Sequence, residues 1–133
     1  MNFKTTSFLS LFVLAINIQC TKKNADTTVP SISLVTPQNN DTINGLKSEI
    51  PIEFIATDND RLDEMEMNIY DSIGKNVAHE KTVIFGTSFH YTSAINFQSS
   101  SAKRKELELE IKIKDKSGNS QSSRTKFYIV TKS

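Results

Sequence analysis

Glu106-Leu107-Glu108-Leu109-Glu110-Ile111-Lys112-Ile113-Lys114 alternates charged and aliphatic residues without a break, and Asp115-Lys116-Ser117-Gly118-Asn119 follows directly. Successive side chains of a strand point to opposite faces, so Leu107, Leu109, Ile111 and Ile113 share one face and the charges share the other. On a helix the same residues would be spread around the whole circumference. The stretch is therefore a half-buried strand. The aspartate that opens the next segment and the glycine that closes it predict a tight turn, with side-chain capping at one end and positive φ at the other.

The same period recurs on the N-terminal side. Glu49 to Thr57 turns Ile50, Ile52, Phe54 and Ala56 one way, and Glu64 to Tyr70 turns Met65, Met67 and Ile69 one way, with helix as the competing reading of the second. Pro51 cannot donate to a ladder, which places it at an edge, a bulge or the outward side near the strand's start. Asp71-Ser72-Ile73-Gly74 repeats the aspartate-to-glycine turn. Seven strands are predicted: Ile32–Thr36, Glu49–Thr57, Glu64–Tyr70, Val77–Phe85, Ser88–Phe97, Glu106–Lys114 and Arg124–Thr131. Short strands at this spacing indicate an all-β sandwich or barrel.

Ahead of the domain, Lys4, the apolar run Phe8 to Ile16 and the single cysteine, Cys20, fall in the order of an export signal. The run is about half the length that a bilayer-spanning helix needs, so a cleaved segment is expected in place of a permanent span. A lone thiol in an exported protein has no disulfide partner, whereas lipidation of Cys20 gives it a use. The arrangement resembles bacterial lipoprotein precursors, those of Bacteroidetes in particular. It departs from their usual pattern at Asn17-Ile18-Gln19, where small residues are normal, and an ordinary secretory signal cut nearby is the alternative. The organisation expected is a signal peptide over 1–19, a flexible tether over 20–30 and a β-sandwich domain over 31–133. The resemblance implies an envelope protein, most simply at the outer membrane, with its periplasmic or surface orientation left open.

Asp115-Lys116-Ser117-Gly118-Asn119 after its alternating strand is similar to the penultimate hairpin of bacterial immunoglobulin-like domains, and so is Ala56-Thr57-Asp58-Asn59-Asp60 after the second strand. That resemblance covers about Pro30 to Thr131 and implies an immunoglobulin-like β-sandwich. The absence of Trp and of a cysteine pair excludes an antibody-type core.

The chain carries 16 Lys plus Arg against 15 Asp plus Glu, and loss of Lys4 with a signal peptide leaves the two equal. No basic surplus selects nucleic acid. His79 and His90 sit in no nucleophile motif and lack the cysteine partners of a zinc site, and the small domain offers no evident cleft for paired carboxylates to work across. The expected role is binding or assembly at the envelope without catalysis, the partner being an envelope protein or a glycan. The alternative is a calcium-dependent carbohydrate-binding or glycan-processing module. It draws on Asp58, Asp60, Asp63, Asp115 and Asn119, oxygen-bearing residues on two loops that an immunoglobulin-like fold brings to one end. Thr27, Thr42 and Ser72 each follow an aspartate in triplets resembling the Bacteroidetes O-glycosylation acceptor. Lys103, Arg104 and Lys105 form the densest basic group, a candidate partner contact at the opposite end.

Overall fold

The structure is a computed structural model that describes residues 25–44, 49–96 and 104–130. Eight strands are present among them: β1 (Ser31–Thr36), β2 (Thr42–Asn44), β3 (Glu49–Thr57), β4 (Leu62–Asp71), β5 (Asn76–Val83), β6 (Ser88–Asn96), β7 (Arg104–Asp115) and β8 (Ser120–Val130). They form two sheets, β1-β3-β6 and β2-β8-β7-β4-β5. No helix among the described residues is long and apolar enough to cross a membrane.

The alternation in β7 settles the packing. Leu107, Leu109, Ile111 and Ile113 are all buried, paired in antiparallel register with β4 on one side and β8 on the other. Met65, Met67 and Ile69 of β4 and Phe127 and Ile129 of β8 extend the same inner face. The three-stranded sheet answers with Ile50, Ile52, Phe54 and Ala56 of β3 and Tyr91 of β6. Phe54 stacks on Tyr91 with ring centroids 5.0 Å apart, and Phe89 packs tilted against both. Such offset arrangements suit the ring quadrupoles and add to area burial.

Pro51 is exposed on the outward face, near the start of β3. It pairs with Ala94 of β6, but β1 reaches only as far as Glu53, so β3 is an edge at this position and the missing N–H breaks no ladder there.

The extra strand, β2, is the correction to the seven-strand reading. After β1 the chain passes Thr36 and a cis Pro37, leaves the three-stranded sheet and pairs in parallel with β8, Ile43 opposite Ile129. Backbone bonds from Asn40 N to the Lys126 carbonyl and from Tyr128 N to the Asp41 carbonyl, both 2.8 Å, fasten this crossing. The opposite flank is closed by a side chain: the Tyr91 hydroxyl on β6 donates to Glu80 Oε2 on β5 at 2.6 Å.

Both aspartate-to-glycine turns form as expected. Asp71 Oδ1 accepts from the amides of Ile73 and Lys75, and Gly74 takes φ 79°. Asp115 Oδ1 accepts from the amide of Asn119, and Gly118 takes φ 95°, a region that costs a glycine nothing. The two turns lie at opposite ends of the sandwich, since β4 runs from beside Asp115 to Asp71.

Candidate functional site

One end of the sandwich gathers the N-terminal segment, the loop after β3 and the β7–β8 turn. Ser31 pairs with Thr57, which brings residues 25–30 alongside that loop. Asp26, Asp58 and Asp115 then converge, with one carboxylate oxygen of each lying within 4.8 Å of the others. Asp115 is 0% exposed.

Each carboxylate is held by neighbours that the local sequence supplies. Asp115 accepts from Asn119 through both oxygens, at 2.7 Å from the amide N and 2.7 Å from Nδ2. Asn119 Nδ2 also donates to the backbone carbonyl of Asp26 at 3.0 Å, so one side chain ties the turn to the N-terminal segment. Asp26 Oδ1 accepts from the amide of Thr28 and from Asn59 Nδ2, each at 3.1 Å. These bonds, the Thr28 amide first, hold the Asp26 carboxyl below the usual carboxylate range. Asp58 Oδ1 accepts from the amide of Asp60 at 2.9 Å. The second oxygens of Asp26 and Asp58 are buried and have no hydrogen-bond partner among the described residues, although both side chains are only half-buried as a whole.

Of the five residues expected here, Asp58, Asp115 and Asn119 meet. Asn119 presents its amide nitrogen to the cluster, so it positions the carboxylates and its oxygen is not the group offered. Asp60 and Asp63 do not join them. Asp60 lies past the Asp58 turn beside Arg61, Lys116 and Ser117. Asp63 is the additional residue where the β4–β7 register shifts between Leu62 and Glu64, and its carbonyl accepts from the amide of Ile84. Asp26 takes the place that sequence reasoning gave to them. Its signal was slight: an aspartate two residues before a backbone donor, the same local device as Asp58 and Asp71, inside a stretch read as tether.

The outer face of the five-stranded sheet carries ion pairs. Arg124 Nη2 meets Glu110 at 2.7 Å and its Nη1 meets Glu108 at 3.4 Å, Lys126 meets Glu106 at 3.0 Å, and Lys81 meets Glu64 at 2.9 Å. The hydrogen bond from Lys81 lowers the Glu64 carboxyl, and that from Lys126 lowers Glu106. A shallow hollow at the Asp71 end is bounded by Tyr70, Ser72, Glu106, Arg124 and Lys126. Tyr70 donates to Glu110, and burial is the main cause that raises its phenol. His79 Nδ1 sits 2.8 Å from Asn68 Oδ1, and His90 Nε2 lies 2.9 Å from Glu53 Oε1 on the other sheet.

Arg104 lies over the Tyr128 ring at 3.7 Å, so this member of the basic group is engaged on its own sheet. Lys105 is half-buried at the start of β7. Lys103 and Cys20 fall outside the described residues. Thr27, Thr42 and Ser72 are all exposed. Their preceding aspartates each accept a backbone hydrogen bond, from Thr28 to Asp26, from Gln38 to Asp41 and from Ile73 to Asp71.

No protein-family description and no curated protein matches this chain. Among solved structures, the periplasmic chaperone SfaE is similar with a TM-score of 0.55 at 12% sequence identity, over 77% of this chain and 58% of the chaperone chain. The likeness is one of fold, and with the two packed sheets described above it identifies the domain as an immunoglobulin-like β-sandwich.

Proposed function

We propose that this chain is a lipid-anchored envelope protein whose immunoglobulin-like domain works by binding or assembly and not by catalysis. The observation that carries this reading is the polarity of the sandwich. Residues 25–30 leave the domain at the Asp58–Asn119 end, while the open hollow beside Tyr70 and Ser72 lies at the other. An anchor at Cys20 would hold the first end toward the membrane and present the second. The chemistry on offer agrees with a non-enzymatic role: the outer-face carboxylates are spent on ion pairs, and both imidazoles lie against side-chain oxygens on the sheet surfaces. The similarity in fold to a periplasmic chaperone is consistent with a protein-binding module in the envelope.

The test has two arms. Cys20→Ser should release the protein from the membrane fraction and remove acyl mass; a wild-type chain without acyl mass overturns the anchor. Photocrosslinkers placed at Ser72 and at Ser117 probe opposite ends. Partner adducts at Ser72 that are absent at Ser117 support the reading, and the reverse pattern overturns the orientation.

A further inference from the structure

Three carboxylates at the N-terminal end of the sandwich converge on one point, and no cation among the described residues compensates their charge. Among the described residues, no Lys, Arg or His nitrogen forms an ion pair with Asp26, Asp58 or Asp115. Asp115 is wholly buried, and the donors it has, the amide N and Nδ2 of Asn119, are neutral. Asp26 and Asp58 each commit Oδ1 to hydrogen bonds and leave Oδ2 out of solvent with nothing to accept from. Buried polar atoms are nearly always satisfied in folded proteins, so two orphaned anionic oxygens beside a third carboxylate require a further partner.

The spacing defines that partner. Two oxygens bound to one Ca2+ at about 2.4 Å can be at most about 4.8 Å apart, and an oxygen of each carboxylate lies within that limit of the others. Ligation by oxygen alone, with no His or Cys in the group, matches a hard cation and not zinc or copper. Asn119 fixes the arrangement from outside, because Nδ2 holds both Asp115 Oδ2 and the Asp26 carbonyl. The geometry points to a calcium-class divalent-cation site made by the carboxylates of Asp26, Asp58 and Asp115, which fastens the N-terminal segment to the end of the sandwich. Water would complete the coordination sphere. The ion joins three separate parts of the chain, so binding sets how the domain stands on its tether. This assignment is independent of whether Cys20 carries lipid.

The experiment uses the full chain in detergent, stripped with EGTA, and then titrated with Ca2+ or Mg2+. The melting temperature should climb with Ca2+ concentration, as ligand linkage to the folded state requires, and cleavage within residues 21–30 by a non-specific protease should slow at least severalfold. Asp26→Asn and Asp58→Asn should each weaken Ca2+ binding at least tenfold in calorimetry. Both keep Asp115, whose loss could disturb the hairpin itself. Asp60→Asn and Asp63→Asn should leave binding unchanged. Mg2+ should act more weakly than Ca2+. Absence of any shift or protection at 10 mM Ca2+ overturns the site. A wild-type chain indifferent to Ca2+, combined with Asp26→Asn and Asp58→Asn variants that melt higher than it, would show three repelling carboxylates and no site. Equal loss of binding in Asp60→Asn would move the ion elsewhere in the loop.

Discussion

At Tyr91 one hydroxyl joins the two sheets. The ring is 8% exposed and stacked on Phe54, and its oxygen reaches Glu80 on the edge of the other sheet. Burial, then the bond to Glu80, pushes the phenol above its usual value, as expected for a donor held against a carboxylate. Hydrogen bonds to charged acceptors contribute more than neutral ones, but Glu80 is half-exposed and can recover water. Tyr91→Phe is expected to destabilise by about 1–2 kcal/mol, read as a melting-temperature drop of roughly 5–10 °C. Phe54→Ala should cost more, about 3–5 kcal/mol, because it leaves a cavity beneath both neighbouring rings. A Tyr91→Phe, Glu80→Gln double-mutant cycle isolates the pair. Additive losses would show that the bond does not close the flank.

The ladder on β7 and β8 acts as an element and not as separate pairs. Glu106, Glu108 and Glu110 face Lys126 and Arg124 across the ladder, and Glu64 on β4 reaches Lys81 on β5. The carboxyls of Glu64 and Glu106 sit below the ordinary 4.5 when folded. A carboxyl with a depressed folded pKa adds stability that is complete above its unfolded value and is lost as pH falls through the folded one. The melting temperature should therefore hold from neutral pH to about 5 and decline below about 4.5. Lys126→Ala should flatten part of that decline. Molar salt should do so for the exposed pairs, since the screening length there is about 3 Å. A decline identical in Lys126→Ala and wild type would assign it to other carboxyls. This element was legible in the sequence because solvent faces one side and core the other, so the alternation is unbroken. β2 was not: Thr42–Asn44 holds one apolar residue, and its place is set by Ile129 far along the chain. The acid cluster was half legible for the same reason. Turn chemistry showed Asp58 and Asp115, but spacing within a loop does not tell which carboxylates turn inward. Asp26 is brought in by Asn119, a contact spanning 93 residues.

On the scale of the whole molecule, charge is distributed unevenly between two ends that the tether makes inequivalent. The Asp26 end holds the three converging carboxylates, of which Asp115 is buried, and the opposite end holds Arg104 and Lys105 at the start of β7, with Lys103 preceding them in the sequence. If Cys20 anchors the chain as proposed and a partner meets the domain at the end away from the anchor, Arg104 and Lys105 lie at that end, and steering by such charges changes association rates more than complex geometry. Lys103→Glu and Lys105→Glu should therefore slow capture of an acidic partner and reduce crosslinking at Ser72. The melting temperature of each variant, read beside its crosslinking, separates lost recognition from lost packing at the half-buried Lys105. Arg104→Glu differs from these, because its guanidinium lies on the Tyr128 ring. It should also lower stability by about 0.5–1 kcal/mol, and Arg104→Lys should restore part of that loss without a bidentate or stacked fit. Comparing the four substitutions in one crosslinking and melting series separates recognition from packing. Crosslinking that survives reversal at Lys103 and Lys105 but follows Ser117 would place the working surface at the Asp26 end and take the basic group out of recognition.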